Sequence, residues 1–183
     1  MHESERTRER ERERPPLSSY ELAIAHDKEF AERQNLGRVV IREEDCPQQM
    51  TRQGLLRFYL SPFVVHDTPL QDWSVFTHEI RTKSGKHRHQ GGIIIYVVEG
   101  KGHSVVDGER INWKKGDLVL LPLRPNGVEH QHFNDDPDNE AVLLVMKAKP
   151  LFLFMHLLFQ KIVSYPPTEK LKGHEDWTPP TDL

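Results

Sequence analysis

Cysteine is almost absent from this chain of 183 residues. Cys46 stands alone, so no internal disulfide can form and nothing points to an oxidising compartment. Long apolar runs are missing too: the longest, residues 151–159, is broken by His156 and falls far short of the roughly 20 residues a membrane-spanning helix needs. The sequence therefore predicts no membrane association. There is no excess of positive charge; the formal net charge is −3, which argues against a nucleic-acid surface, because phosphate binding needs clustered lysine and arginine. The start of the chain has no apolar signal segment, and the expectation is a cytoplasmic protein. Neither a repeat of about 20–50 residues nor a βαβ alternation is visible.

Against these absences stand eleven histidines, four of them in two i, i+2 pairs: His87 with His89, and His130 with His132. In a strand, alternate side chains share a face. Gly85-Lys86-His87-Arg88-His89 would then put both imidazoles on one side, roughly 6–7 Å apart along the strand, and Lys86 and Arg88 on the other. A third imidazole from a neighbouring strand would complete a three-nitrogen set with coordination positions left open, the arrangement of a catalytic rather than a closed structural metal site. Four surface histidines in polar loops are the bland alternative, and two pairs beside β-rich segments make that less attractive.

The chain divides into four stretches. Residues 1–17 alternate arginine and glutamate, read as a solvated, disordered tail. Residues 18–72 open with a capping-box pattern, Ser18 to Glu21, ahead of a helix ended by Leu36-Gly37. A short β-like run at Val39-Val40-Ile41 follows, and then one or two early strands around Pro62. Residues 73–149 carry short β-rich segments at 75–80, 93–98, 103–106, 110–113, 118–121, 131–133 and 141–147, with breaks at Glu99-Gly100, Asp107-Gly108, Lys115-Gly116 and Asn126-Gly127 read as hairpin signals. Such a pattern indicates an all-β antiparallel sandwich or barrel. Residues 150–183 combine an apolar stretch, read as a buried C-terminal helix over 151–163, with a proline-rich tail. The apolar surface of that stretch predicts a homodimer. His103 is expected to face solvent and His156 to lie in the core. His66 and His78 are candidates to line the barrel, and Cys46 has no activating partner.

The order of motifs resembles the cupin superfamily over residues 73–147. His87-Arg88-His89 precedes Glu99-Gly100; Gly116-Asp117, Pro122, His130 and Asn134 follow. The resemblance implies a single jelly-roll-like β-barrel with short N- and C-terminal helices. Two departures narrow it. The strand after His89 reads Gly91-Gly92-Ile93-Ile94-Ile95, without the glutamate ligand usual in cupins, and the loop from Pro122 to His130 is longer than the common pattern. Gentisate-type aromatic ring-cleaving dioxygenases also lack that glutamate. They are similar in His87-Arg88-His89, Val98-Glu99-Gly100, Asp107-Gly108-Glu109-Arg110 and His130-Gln131-His132.

The resemblance implies His87, His89 and His130 as ligands of one Fe(II) per chain, with His132 and Gln90 as candidate catalytic residues. A small oxygenated, aromatic substrate and O2 would be the partners. Mn, Zn or Ni in a cupin decarboxylase, isomerase or lyase is the runner-up reading, and a non-enzymatic small-ligand-binding cupin the third. Gentisate-type enzymes present an arginine near the position of Ile95. The isoleucines here predict a pocket that disfavours a carboxylate at that point, unless another basic residue, Arg57 or Arg124, reaches it.

Overall fold

The computed structural model describes residues 17–65, 67–70, 72–149, 160–168 and 171–180. Residues 1–16 of the charged tail, His66, His156 and residues 151–159 of the apolar stretch lie outside the described residues. The chain begins with helix α1 (Ser19–Leu36), whose capping box is formed as expected: the Glu21 N–H donates to Ser18 Oγ at 3.3 Å and the Ser18 N–H to Glu21 Oε2 at 2.8 Å. None of its residues is buried. Val39-Val40-Ile41, expected as a strand, has no strand partner and runs as irregular chain.

Eleven strands follow among the described residues: β1 (Gln48–Thr51), β2 (Gly54–Leu60), β3 (Trp73–Ile80), β4 (Lys86–His89), β5 (Ile93–Glu99), β6 (Lys101–Val106), β7 (Glu109–Lys114), β8 (Leu118–Leu121), β9 (Val128–Asn134), β10 (Ala141–Ala148) and β11 (Gln160–Ser164). They form two antiparallel sheets. One has the order β1-β2-β3-β10-β5-β8, the other β11-β4-β9-β6-β7. β1 and β2 extend the first sheet and β11 pairs with β4, so the barrel recruits strands from both sides of the 73–149 stretch.

Each inner face is built by alternation. Along β5, Ile93, Ile95 and Val97 are buried while Ile94, Tyr96 and Val98 face out; along β10, Ala141, Leu143, Val145 and Lys147 point in. With Ile80, Val106, Trp113, Val119, Leu121 and Val128 the apolar members fill the space between the sheets.

Two sequence expectations are corrected. Residues 160–163, placed in a terminal helix, lie in β11, because pairing with β4 gives their backbone groups partners that apolarity alone could not reveal. Of the four glycine breaks, only Asp107-Gly108 is a hairpin turn: β6 pairs with β7, and φ is 48° at Asp107 and 92° at Gly108, the doubly positive pair that a two-residue turn matched to strand twist requires. At Glu99-Gly100, Lys115-Gly116 and Asn126-Gly127 the chain crosses from one sheet to the other instead. Gly100 suits such a corner, since φ is 87° and a Cβ there would press on the Ala141 backbone.

Candidate metal centre

β4 and β9 are neighbours, and their register sets the site. His87 is the Cα partner of His130 and Arg88 of Glu129. Directly opposed residues share a face, so His87, His89 and His130 converge inside, while Lys86 and Arg88 meet Glu129 outside in ion pairs. Ring centroids lie 4.2 Å apart for His87 and His130, 4.7 Å for His89 and His130, and 5.4 Å for His87 and His89. One ring nitrogen from each of the three falls within 4.8 Å of the others, and all three residues are buried.

The strands are locked in this register from outside the trio. The Gln131 Nε2 donates to the Ser84 carbonyl at 2.7 Å and the His132 N–H to Ser84 Oγ at 2.9 Å, tying β9 to the loop that leads into β4. Gly91, with φ 88°, turns the chain away from β4, and a Cβ there would overlap the Pro122 carbonyl. Its N–H donates to His89 Nδ1 at 2.9 Å.

Burial keeps these imidazoles neutral. It lowers His87 to about 4 and His78 to about 3, and pushes His89, His130 and His132 well down from the usual value, with nearby positive groups adding to the effect. Neutral imidazoles offer lone pairs to a metal without a competing proton. The Nδ1 atoms of His87 and His130 lie 3.3 and 3.4 Å from the carbonyls of Gly85 and Val128, which leaves each Nε2 free to ligate. His89 differs: its Nδ1 already accepts, so a ligand role requires the ring to turn over or that bond to break.

His132 sits beside the trio, its ring 5.2 Å from that of His130. A buried chain of contacts leads to its Nδ1. The Trp113 Nε1–H donates to Ser104 Oγ at 2.9 Å, and Ser104 Oγ lies 2.7 Å from His132 Nδ1. A serine hydroxyl has one proton and two lone pairs, so Ser104 Oγ can accept from Trp113 and still either donate to or accept from His132 Nδ1.

The rings open into a cavity of about 120 Å³, also lined by His78, Ile93, Ile95, Ser74, Lys147 and Lys149. His78 thus lines the barrel as anticipated. Gln90 does not line the cavity; it is buried, and its carbonyl accepts from the Arg124 N–H at 2.9 Å. His103, expected to face solvent, is largely covered: it stacks on Phe133 with ring centroids 4.6 Å apart and bonds Asp135 at 2.8 Å.

The cations in the cavity lining, Lys147 and Lys149, are neither arginine anticipated from the sequence. Arg57 donates to the Cys46 carbonyl and Arg124 pairs with Asp107, both away from the cavity. Lys147 is the more buried of the two, 7% exposed and lowered by burial to about 8. Sequence reasoning missed it because β10 is apolar on both faces, which leaves its parity unreadable.

Residues 74–147 match the family profile described as a cupin domain. Among curated proteins, a gentisate 1,2-dioxygenase from Haloferax sp is 30% identical over 60% of this chain and 28% of its own length. A 5-aminosalicylate 1,2-dioxygenase from Comamonas sp is 28% identical over 50% of this chain and 24% of its own. The chain thus spans about a quarter of the length of these relatives. Among solved structures, salicylate 1,2-dioxygenase from Pseudoaminobacter salicylatoxidans, as adducts with gentisate, aligns with a TM-score of 0.50 at 20% identity, over 74% of this chain and 36% of that one. A variant of the Streptomyces protein PAC13, solved with uridine, gives 0.51 at 14% identity, over 71% and 93%. At such identity the structural likeness is one of fold. The family match over residues 74–147, the two-sheet sandwich and the histidine-bearing strands agree on a cupin fold, and over that stretch the chain is similar in sequence to gentisate and 5-aminosalicylate 1,2-dioxygenases.

Proposed function

We propose that the protein is an Fe(II)-dependent dioxygenase that cleaves a small oxygenated, aromatic compound with O2, its metal held by His87, His89 and His130. The observation that carries this reading is the buried trio of neutral imidazoles with no carboxylate in the cavity lining among the described residues. Three neutral ligands leave a divalent metal its full charge and leave coordination positions open, which suits an anionic chelating substrate such as a deprotonated phenol. Bound Fe(II) would supply a redox partner for O2 and a Lewis acid for the phenolic oxygen. The named activities of the relatives support the reaction class.

The chain's own residues bind, orient and exclude water. His132 is the polar group next to the trio, and with the Ser104 hydroxyl donating to its Nδ1, its Nε2–H would be the hydrogen-bond donor of the cavity. Ile93, Ile95 and Val145 supply apolar walls, and a cavity of about 120 Å³ is on the scale of a one-ring molecule. The expected cytoplasmic location belongs to this proposal; among the described residues, no helix is long and apolar enough to cross a membrane.

The test is metal analysis with oxygen-electrode assays on a panel of phenolic compounds. Purified protein should hold close to one iron per chain and consume O2 with at least one compound. His87→Ala, His89→Ala and His130→Ala should each lose the metal, while His132→Ala keeps it and loses activity. Metal retained by the His130 variant but lost from the His132 variant would overturn the ligand assignment. A metal-loaded protein that never consumes O2 would overturn the reaction class.

A further inference from the structure

Lys147 and Ser74 have no role in holding a metal, yet both face the cavity that the histidines line. They are Cα partners across the β3–β10 pair and so share one face with adjacent side chains. Ser74 is 1% exposed, and its hydroxyl has no hydrogen-bond partner. Lys147 is 7% exposed, and among the described residues no aspartate or glutamate forms an ion pair with it. Nor does any acid line the cavity, where Lys149 adds a second cation. The neighbouring stretch at 150–159, outside the described residues, contains neither aspartate nor glutamate in its sequence.

Among the described residues a buried ammonium without a counter-charge stands beside a buried hydroxyl without a partner, an electrostatically incomplete pair. A carboxylate is the group that completes both, since its two oxygens accept from an ammonium and a hydroxyl at once. We propose that Lys147 and Ser74 form the anion cradle of this cavity and select a small substrate bearing a carboxylate. The cradle reverses the carboxylate-disfavouring pocket expected from Ile93 and Ile95, because the cation arrives from β10 rather than from β5. It rests on the reading of this cavity as the substrate site, but it does not depend on the metal.

Binding of benzoate and of benzamide, which differ in charge at one group, tests the cradle in the full-length protein, by calorimetry, both as purified and after chelation. Wild-type protein should bind benzoate at least tenfold more tightly than benzamide in both states. Lys147→Met should abolish that preference by weakening benzoate at least tenfold while leaving benzamide within twofold. Lys147→Arg should restore most of it, and Ser74→Ala should weaken benzoate by a smaller factor. Equal wild-type affinity for the two compounds overturns the proposal without any variant. A Lys147→Met protein that retains the preference, or that loses both ligands equally, overturns it as well. Failure of the metal reading shows separately, as protein that holds no metal but keeps the benzoate preference after chelation.

Discussion

Metal-free protein should unfold in mild acid. His78, His87, His89, His130 and His132 are all held below their ordinary pKa, chiefly by burial. Below about pH 6.5 the unfolded chain takes up protons that the folded chain refuses, so stability falls as pH falls, and goes on falling until the folded-state pKa is reached. For His87, at about 4, and His78, at about 3, the window opens near 6.5 and closes at those values. At pH 5 one such group removes about 2 kcal/mol. His89, His130 and His132 shift in the same direction and deepen the loss, against a typical domain stability of only about 5–15 kcal/mol. Far-UV circular dichroism and tryptophan fluorescence of chelator-treated protein, titrated from pH 8 to 4, should show one cooperative loss of structure with a midpoint between about pH 5 and 6. Added metal should lower that midpoint, because it binds the folded state alone. Chelated protein still folded at pH 4 would refute the picture of five buried neutral imidazoles.

Two further outcomes follow from contacts already described. Ser104→Ala strands the buried Trp113 indole N–H, a loss of about 1–3 kcal/mol, and should lower Tm by several degrees while leaving metal content intact; an unchanged Tm would mean that water replaces the hydroxyl. Ile94, Tyr96, Val98, Leu118 and Leu120 project from the outer face of neighbouring strands β5 and β8 and are all exposed, so a homodimer is expected by light scattering at micromolar concentration, and a monomer there would count against it.

That His87 and His89 share a buried face was legible because β4 alternates them with charged residues. Lys86-His87-Arg88-His89 declares its two faces, since lysine and arginine must reach water and the histidines then share the other side. The register of His87 against His130 was not readable, since it depends on which strands become neighbours, and β4 and β9 are separated in sequence by four strands. Turn chemistry had the same limit. Positive φ marks Gly100, Gly108, Gly116 and Gly127 alike, but a corner between sheets and a tight hairpin demand the same residue, and only long-range pairing tells them apart.

Lys147 shows where periodicity fails and what replaces it. Ala141-Val142-Leu143-Leu144-Val145-Met146-Lys147 is apolar up to its last residue, so either parity fits the sequence, and a lysine near a strand end is ordinarily read as leaving for solvent. Pairing of β10 with both β3 and β5 removes that freedom: Val145 lies opposite Ile95 and Phe76, which fixes it on the inner face, and Lys147, two residues on, must follow. The strand could shift by one residue only by turning Ala141, Leu143 and Val145 outward, at about 1.5–3 kcal/mol for each large aliphatic side chain exposed. The apolar part of β10 therefore holds the lysine inside, and the electrostatic cost of that position is imposed by packing rather than relieved by any acid among the described residues.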